Sequence, residues 1–193
     1  LVSAGAKVTF VYGPGNEKPP KGAKIINIVS SNELYNVVKN QLKNKFDIVI
    51  MAAAISDYIP KNPSKKKIKS SKTNLSISLK KAPKIINEIK KIQKNILLVG
   101  FKAETNVTNT QLIKSAKKKL KESSSDIIIA NDIGISRYKK NSQNNQIIIV
   151  DSKKNIVSGW MKKDKIAKII RKQIESKLKW KLFIQNINKE IWK

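Results

Sequence analysis

Helices and strands alternate most clearly over residues 83–130, which read PKIINEIKKIQKNILLVGFKAETNVTNTQLIKSAKKKLKESSSDIIIA. A helix is predicted over residues 83–94, where a proline stands near the first position. Its apolar face is formed by Ile85, Ile86, Ile89 and Ile92. Residues 96–101 form an apolar run typical of a strand buried on both faces of a parallel sheet. Residues 126–130 predict another strand, and a helix from about residue 108 to residue 122 separates the two. This order indicates a parallel sheet with right-handed crossovers.

The same alternation continues in both directions along the chain. Towards the amino end we predict strands at residues 7–12, 25–29 and 47–53 and a helix at residues 32–45. Towards the carboxyl end we predict a hairpin of residues 146–151 and 155–158, an amphipathic helix, and a tail that packs through Trp180, Phe183, Ile184 and Ile187. We therefore predict one α/β domain over residues 1–193, with a Rossmann-like parallel sheet flanked by helices and a C-terminal hairpin plus helix.

The first residues are typical of the middle of a domain. Residues 1–4 predict the last turn of a helix, and Gly5 suits the position that follows a helix end. A strand at residues 7–12 comes directly afterwards. Because a strand that follows a helix end implies a preceding strand and helix, our hypothesis is that a βα unit lies upstream, so that the domain is truncated at its amino end.

A basic segment interrupts the alternation. Residues 61–72 hold six lysines, and Leu75, Ile77 and Leu79 then alternate as a strand does. We predict a basic flap built on a hairpin over about residues 60–80. Most of its lysines are expected to form a solvated charge run, although some could neutralise a triphosphate.

The composition excludes several kinds of active site. The chain has no cysteine and no histidine, so thiol nucleophiles, disulfides and serine–histidine relays are absent. The longest apolar run, residues 48–55, is far shorter than the roughly 20 residues of a membrane helix, and no secretory signal is recognisable. We therefore expect a cytoplasmic protein that does not cross a membrane.

The net charge of +28 suggests a polyanionic partner, but its composition argues against a dedicated nucleic-acid binder. Only Arg137 and Arg171 are arginine, the residue best suited to bidentate phosphate and guanine contacts. Lysine, isoleucine and asparagine make up 89 of the 193 residues, and all have A/T-rich codons. Drift of the coding DNA towards A/T explains the lysine excess, so a nucleic-acid-binding module is kept only as an alternative.

Candidate site residues follow the predicted strands, because ligands bind at the carboxyl ends of the strands in open α/β sheets. The four strand ends lie at residues 13–15, 53–57, 101–105 and 130–132. Each residue also has a purely structural interpretation. Asp57 could cap a turn, Asn131 and Asp132 could form an Asx turn, and the three alanines 52–54 could serve helix–sheet packing instead of close ligand approach. The pattern alone indicates an anionic ligand without specifying a reaction.

Five motifs at these strand ends resemble the phosphopantothenoylcysteine synthetases, in the order and near the spacing of that family. They are MAAAISDY at residues 51–58 with KIK at 67–69, LKKAPKII at 79–86, VGFKAET at 99–105, IANDI at 129–133 and NSQNN at 141–145. The similarity spans residues 4–178. In bacteria this domain is usually the C-terminal half of a bifunctional protein that begins with a flavin-dependent decarboxylase.

The resemblance implies CTP-dependent joining of 4′-phosphopantothenate to cysteine through an acyl-cytidylate, in coenzyme A biosynthesis. It implies CTP as co-substrate, a divalent cation (Mg²⁺ or Mn²⁺) whose ligands it does not assign, and a homodimer with the flap near the subunit contact. An inactive or partial remnant of the enzyme is the main alternative.

The resemblance also assigns residues. Lys67 is the lysine expected to stabilise charge at the α-phosphate, and Phe101 is expected to pack on the nucleotide. The remaining expected nucleotide contacts are Met51, Ala52, Ala53, Asp57, Pro83, Lys84, Ile85, Ile86, Lys119 and Ser123. Further candidates are Lys69, Asn131 and Asp132.

The chain departs from the family pattern in two places. The family has two lysines spaced i, i+4 on one helix, of which Lys119 matches the first whereas Ser123 occupies the second position. Lys118 or Lys121 could replace the missing cation. The family's glycine-rich loop and an asparagine that contacts the acyl intermediate belong to the βα unit that would precede Leu1.

Overall fold

The computed structural model of the chain describes residues 1–64, 66–68, 74–134 and 144–191, with side chains described through residue 179. Within those residues the strands are β1 (Thr9–Tyr12), β2 (Lys24–Asn27), β3 (Ile48–Met51), β4 (Tyr58–Pro60), β5 (Leu79–Lys81), β6 (Leu97–Glu104), β7 (Ile127–Asp132), β8 (Asn144–Asn145), β9 (Ile148–Val150), β10 (Asn155–Val157) and β11 (Met161–Lys162). The helices are α1 (Ser31–Gln41), α2 (Ile85–Ile92), α3 (Asn109–Glu122) and α4 (Lys163–Ile191).

The central sheet has five strands in the order β10-β9-β7-β6-β3. Strands β3, β6 and β7 run parallel, and the hairpin of β9 and β10 joins them in the antiparallel direction. The predicted α/β fold is thus confirmed, with a mixed but mostly parallel sheet.

Side chains of β6 and β7 alternate between the two faces of this sheet, which separates the core into layers. Leu97 and Val99 point to the layer that holds α4, whereas Ile128 and Ala130 point to the layer that holds α3. The residues Ile96 and Leu98 pack on α2 in a third cluster. Burial on both faces explains why these strands are apolar without interruption.

Helix α2 shows where the periodicity fails. The predicted inner face holds at Ile85, Ile86 and Ile89, which are buried. Ile92 is 42% exposed, so its predicted inward position is wrong. The helix ends at this residue, and the next side chain, Gln93, turns to accept a hydrogen bond from the backbone N–H of Phe46.

The flap and the C-terminal region agree with the prediction in part. Strands β4 and β5 pair in antiparallel fashion and form the stem of the predicted hairpin, but Leu75 and Ile77 lie outside any strand. The helix α4 is a single helix of 29 residues, where a helix and a separate tail were expected. The predicted packing of the tail concerns side chains outside those described. No helix in the described residues has the length and apolar character needed to cross a membrane.

A groove of about 780 Å³ separates β1 from β3. Strand β1 pairs with β2 in a separate two-stranded parallel sheet, and β3 pairs with β6 on its other side. The facing edges of β1 and β3 line the groove, with Leu34 and Val38 of α1 as its floor. This open edge explains why β3, predicted as a fully buried strand, is only half-buried. The 3-10 turn Val2–Ala4 ends at Gly5 with a φ of 81°, as predicted for a helix end, while the upstream βα unit stays a hypothesis.

Candidate functional site

The candidate site is a cavity of about 560 Å³ at the carboxyl end of the central sheet. Strand β3 ends at Met51, opposite Gly100, whereas β6 continues through residues 101–104 and pairs with β7. This overhang forms one wall of the cavity. The other walls come from residues 53–57 after β3, the first turn of α2 and the outer face of α3.

Helix α2 presents its N-terminal turn to the cavity. Residues 83–87 line the space, with Lys84 at the N-cap position. The backbone N–H of Ala82 donates a hydrogen bond of 2.9 Å to the carbonyl of Asp57, which ties the start of the helix to the segment after β3. Gly100 permits the helix to lie close to β6, since a Cβ there would stand 2.8 Å from Ile86 Cδ1. The positive end of the helix dipole favours an anion at this position.

Four lysines line the cavity, and three of them contact a carboxylate that also lines it. Lys84 forms a salt bridge with Asp57, Lys102 lies 3.1 Å from Glu104, and Lys118 lies 3.9 Å from Glu122. Within the part of the chain that the structure describes, the fourth cation, Lys119, makes no salt bridge.

Burial and neighbouring cations both act on Lys119, the cavity lysine that is not paired with a carboxylate among the described residues. Burial lowers the pKa of Lys119, and repulsion from Lys84 and Lys102 lowers it further against the attraction of Glu122 and Asp57. The hydrogen bond and charge of Lys84 hold the pKa of Asp57 below its usual value. An anion that entered the cavity would relieve the repulsion among the lysines.

The structure brings most of the predicted nucleotide residues together. Those that line the cavity are Met51, Ala53, Asp57, Pro83, Lys84, Ile85, Ile86, Phe101 and Lys119. Phe101 is 37% exposed at the cavity wall, where an aromatic ring is accessible to a ligand.

Other predicted residues lie elsewhere. Ala52 lines the groove between β1 and β3. Lys67 is exposed on the flap and does not belong to the lining of the cavity. Lys69 and residues 141–143 of the fifth motif lie outside the described residues.

Ser123 is buried beneath the carboxyl end of α3 and does not line the cavity. Its hydroxyl donates a hydrogen bond of 2.7 Å to the carbonyl of Lys119 and lies 2.7 Å from the hydroxyl of Ser125. Only 2% of the surface of Ser123 is exposed, so its side chain packs inside the protein and does not face a ligand. Of the two lysines considered as replacements, Lys118 lines the cavity and Lys121 does not.

Asp132 also stabilises the local backbone and does not face the cavity. Its carboxylate accepts hydrogen bonds from the backbone N–H groups of Asn106 (2.9 Å), Val107 (3.3 Å) and Gly134 (2.8 Å). The bond to the residue two positions later is the Asx turn considered as the alternative to a ligand contact. Neither Asp132 nor Asn131 lines the cavity.

Sequence reasoning assigned no role to several residues of the cavity. Lys102 and Glu104 belong to the VGFKAET motif, where their alternation after an apolar run is the signal that they share one face of the strand. Ser115 donates a hydrogen bond to Glu104 and stands four residues before Lys119, on the same face of α3. Asn87 contributes a buried side-chain oxygen that has no hydrogen-bond partner among the described residues.

The side chains that the structure describes do not form a metal centre of their own. No group of three or more acidic side chains gathers anywhere in the described ranges. The two carboxylates of the inner cavity, Asp57 and Glu104, are each in contact with a lysine. A protein-held divalent cation normally needs more oxygen ligands than this arrangement offers.

Comparisons with known proteins agree on one family. A family model described as the DNA/pantothenate metabolism flavoprotein C-terminal domain matches residues 1–178. A "Coenzyme A biosynthesis bifunctional protein CoaBC" from Borreliella burgdorferi is 41% identical over 175 residues, which cover 89% of this chain and 42% of that protein. The chain therefore spans less than half the length of this relative.

Solved structures share the fold over nearly the whole chain. The DNA/pantothenate metabolism flavoprotein from Streptococcus pneumoniae superposes with a TM-score of 0.77 at 25% identity, covering 91% of this chain and 83% of that one. The C-terminal domain of a coenzyme A biosynthesis bifunctional protein CoaBC gives a TM-score of 0.73 at 28% identity, covering 92% and 78%. The Rossmann-like expectation is confirmed by this agreement.

Proposed function

This chain belongs to the DNA/pantothenate metabolism flavoprotein C-terminal domain family, and we propose that it ligates 4′-phosphopantothenate to cysteine in coenzyme A biosynthesis, with CTP as the activating nucleotide. The observation that carries the proposal is the cavity beside the end of β6, where four lysines and the first turn of α2 surround one space. Three of these lysines are paired with carboxylates, and the remaining charge of Lys119 together with the positive end of the α2 dipole suits a ligand with phosphate groups.

The proposed reaction has two steps. A carboxylate oxygen of 4′-phosphopantothenate attacks the α-phosphorus of CTP, the bond to the bridging oxygen breaks, and pyrophosphate leaves an acyl-cytidylate behind. The amine of cysteine then attacks the acyl carbon, an amide forms, and CMP leaves as the amine loses its proton. Fixed cations that stabilise charge on the phosphate oxygens, together with positioning of the reactants, can support both steps without histidine or cysteine side chains.

Residues that line the cavity take distinct parts in this proposal. Lys119 and Lys84 bind phosphate oxygens, together with the N–H groups at the start of α2. The aromatic ring of Phe101 packs on the nucleotide. Ala53, whose side chain is a single methyl group, leaves room for close approach at the end of β3, beside Met51 in the cavity wall.

Lys67 takes part only if the flap brings its ammonium group to the α-phosphate. We expect Lys67→Ala to abolish pyrophosphate release while the thermal unfolding midpoint stays unchanged, because the side chain is exposed. Normal turnover by this variant would remove Lys67 from the mechanism.

Mg²⁺ or Mn²⁺ enters the proposal as part of the CTP complex, because the described carboxylates do not form a metal site. Phosphate oxygens commonly supply much of the coordination of such an ion.

We also propose a homodimer that works in the cytoplasm. Several large apolar side chains of the flap region are exposed, namely Tyr58, Ile68, Leu75, Ile77 and Leu79. Contact between two flaps would remove this apolar surface from water.

The decisive experiment measures phosphopantothenoylcysteine by mass spectrometry after incubation with 4′-phosphopantothenate, cysteine, CTP and Mg²⁺. We expect product that depends on every component and falls sharply when ATP replaces CTP. Lys119→Met should abolish product, whereas Lys117→Met, an exposed lysine of the same helix, should not. No product, together with no stabilisation by CTP in a thermal-shift titration, would support the inactive remnant. Binding of CTP and nucleic acid with equal salt sensitivity would support the nucleic-acid alternative.

A further inference from the structure

Lys102 is held at the cavity wall by a short network that joins β6 to α3. Its ammonium nitrogen lies 3.1 Å from Glu104 Oε1, and the same oxygen accepts a hydrogen bond from the hydroxyl of Ser115. Lys102 and Glu104 both belong to the overhang of β6, whereas Ser115 precedes Lys119 by one helical turn on α3. One carboxylate thus fixes the position of Lys102 relative to the helix that carries Lys119.

The exposure of the cavity lysines distinguishes Lys102 from Lys118. The side chain of Lys102 is 33% exposed, whereas that of Lys118 is 78% exposed and lies 3.9 Å from Glu122. A charge that is partly removed from water is screened less and interacts more strongly with a bound anion. Lys102 also acts on the site already, since its positive charge contributes to the repulsion that Lys119 experiences.

We propose that Lys102 is a phosphate-binding residue of the cavity and supplies, together with Lys119, the cations for the polyphosphate of the nucleotide. This inference rests on the proposed function, because it takes a nucleoside triphosphate as the ligand. Glu104 and Ser115 are positioning residues that hold the ammonium group without touching the phosphates. Lys102 then supplies the cation that is missing at position 123, and no other lysine of α3 has to supply it.

The negative charge of Glu104 depends on Lys102 for its compensation. The ammonium group of Lys102 neutralises this carboxylate, whose pKa is lowered by the hydrogen bonds from Ser115 and Lys102. Removal of Lys102 would therefore take away an attraction and also leave a carboxylate uncompensated near the phosphates. We expect the loss caused by Lys102→Met to be partly recovered when Glu104→Gln is added, which is coupling that a double-mutant cycle measures.

The test compares the affinities of CTP, CDP and CMP for the wild-type chain and its variants by titration calorimetry. Lys102→Met should weaken CTP binding by about tenfold to a hundredfold, the range for one hydrogen bond between charged groups. It should weaken CMP binding much less, because fewer phosphate oxygens are present. Lys102→Arg, which keeps the charge, should retain most of the affinity, and the control Lys117→Met, at an exposed lysine of α3 that does not line the cavity, should change it by less than about threefold.

Inorganic triphosphate serves as a second probe that separates the two proposals. If CTP does not bind but triphosphate binds in a manner that depends on Lys102, the nucleotide part of the proposed function fails and the role of Lys102 stands. If Lys102→Met binds both ligands as the wild type does while Lys119→Met does not, the role of Lys102 is overturned. Failure of the wild-type chain to bind either ligand overturns it as well. Thermal unfolding of each variant verifies that the fold is intact.

Discussion

Ser115 on α3 donates a hydrogen bond to the carboxylate of Glu104 on β6, and this contact joins two of the elements that form the walls of the cavity. The bond is the largest cause of the lowered pKa of Glu104, followed by the hydrogen bond from Lys102. A hydroxyl that stands one turn before Lys119 thereby favours the ionised form of the carboxylate that it contacts.

Ser115→Ala should raise the pKa of Glu104 towards its usual value, because the main hydrogen bond to the ionised form is lost. The carboxylate stabilises the native state above its unfolded pKa, and this contribution disappears as the pH falls through its folded pKa. The variant should therefore lose less stability than the wild type on acidification. A carbon-detected NMR titration of the Glu104 carboxyl group measures the shift. An unchanged titration curve would show that Lys102 alone maintains the ionised form.

The lowered pKa of Lys119 predicts that the affinity for a phosphate ligand changes with pH in the alkaline range. Burial and neighbouring lysines lower its pKa, so its charge is lost at a lower pH than that of an ordinary lysine. Affinity for inorganic triphosphate should fall as the pH rises through this range, because the neutral amine no longer attracts the anion. The free protein should become more stable over the same interval, since the unfolded chain binds more protons between the lowered and the ordinary lysine pKa.

Titrations of wild type and Lys119→Met from about pH 7 to about pH 11 include the ordinary lysine pKa of about 10.4. They separate the effect of Lys119 from the general loss of positive charge. The variant should show a weaker affinity with a flatter dependence on pH. Parallel curves for the two proteins would assign the pH dependence to other lysines.

Helix α2 offers a matched pair of isoleucines for a test of packing. Ile89 is fully buried against β6, whereas Ile92 is 42% exposed at the end of the same helix. Ile89→Ala should reduce the free energy of unfolding by about 2–5 kcal/mol through lost burial and the resulting cavity. Ile92→Ala should cost about 0.5 kcal/mol or less. Urea denaturation measures both, and equal losses would mean that Ile92 is packed in solution.

The sequence predicted the central sheet correctly because buried parallel strands need apolar residues on both faces, a pattern that residues 96–99 and 127–130 satisfy. It failed at Ile92 because periodicity does not reveal where a helix ends. It also failed to distinguish the buried Ser123 from a cavity residue. Residues four positions apart on a helix, such as Lys119 and Ser123, lie on one side of it whether that side contacts solvent or core. The position of Lys102 at the cavity depends on how far β6 extends past β3. That overhang is a relationship between two strands, and a local sequence pattern does not reveal it.

The groove between β1 and β3 predicts an additional strand. Strand β1 pairs in parallel with β2, and β3 pairs in parallel with β6, while residues of β1 and β3 line a shared space of about 780 Å³ beside α1. A strand inserted there would join the two sheets and satisfy both edges. Residues 53–56 line the groove as well as the cavity, so such a strand would also end beside the candidate site.

We expect the coding sequence upstream of Leu1 to encode a strand, a glycine-rich turn and a helix within about 30 residues, the size of a crossover unit. A protein extended by these residues should protect the amides of β1 and β3 from hydrogen exchange, while the central strand β7 exchanges as before. A proline placed in the middle of the added strand is the control, because it removes a hydrogen-bond donor and should cancel the protection. A stop codon directly upstream, or equal exchange with and without the extension, would contradict the prediction and leave the groove to be covered by another element.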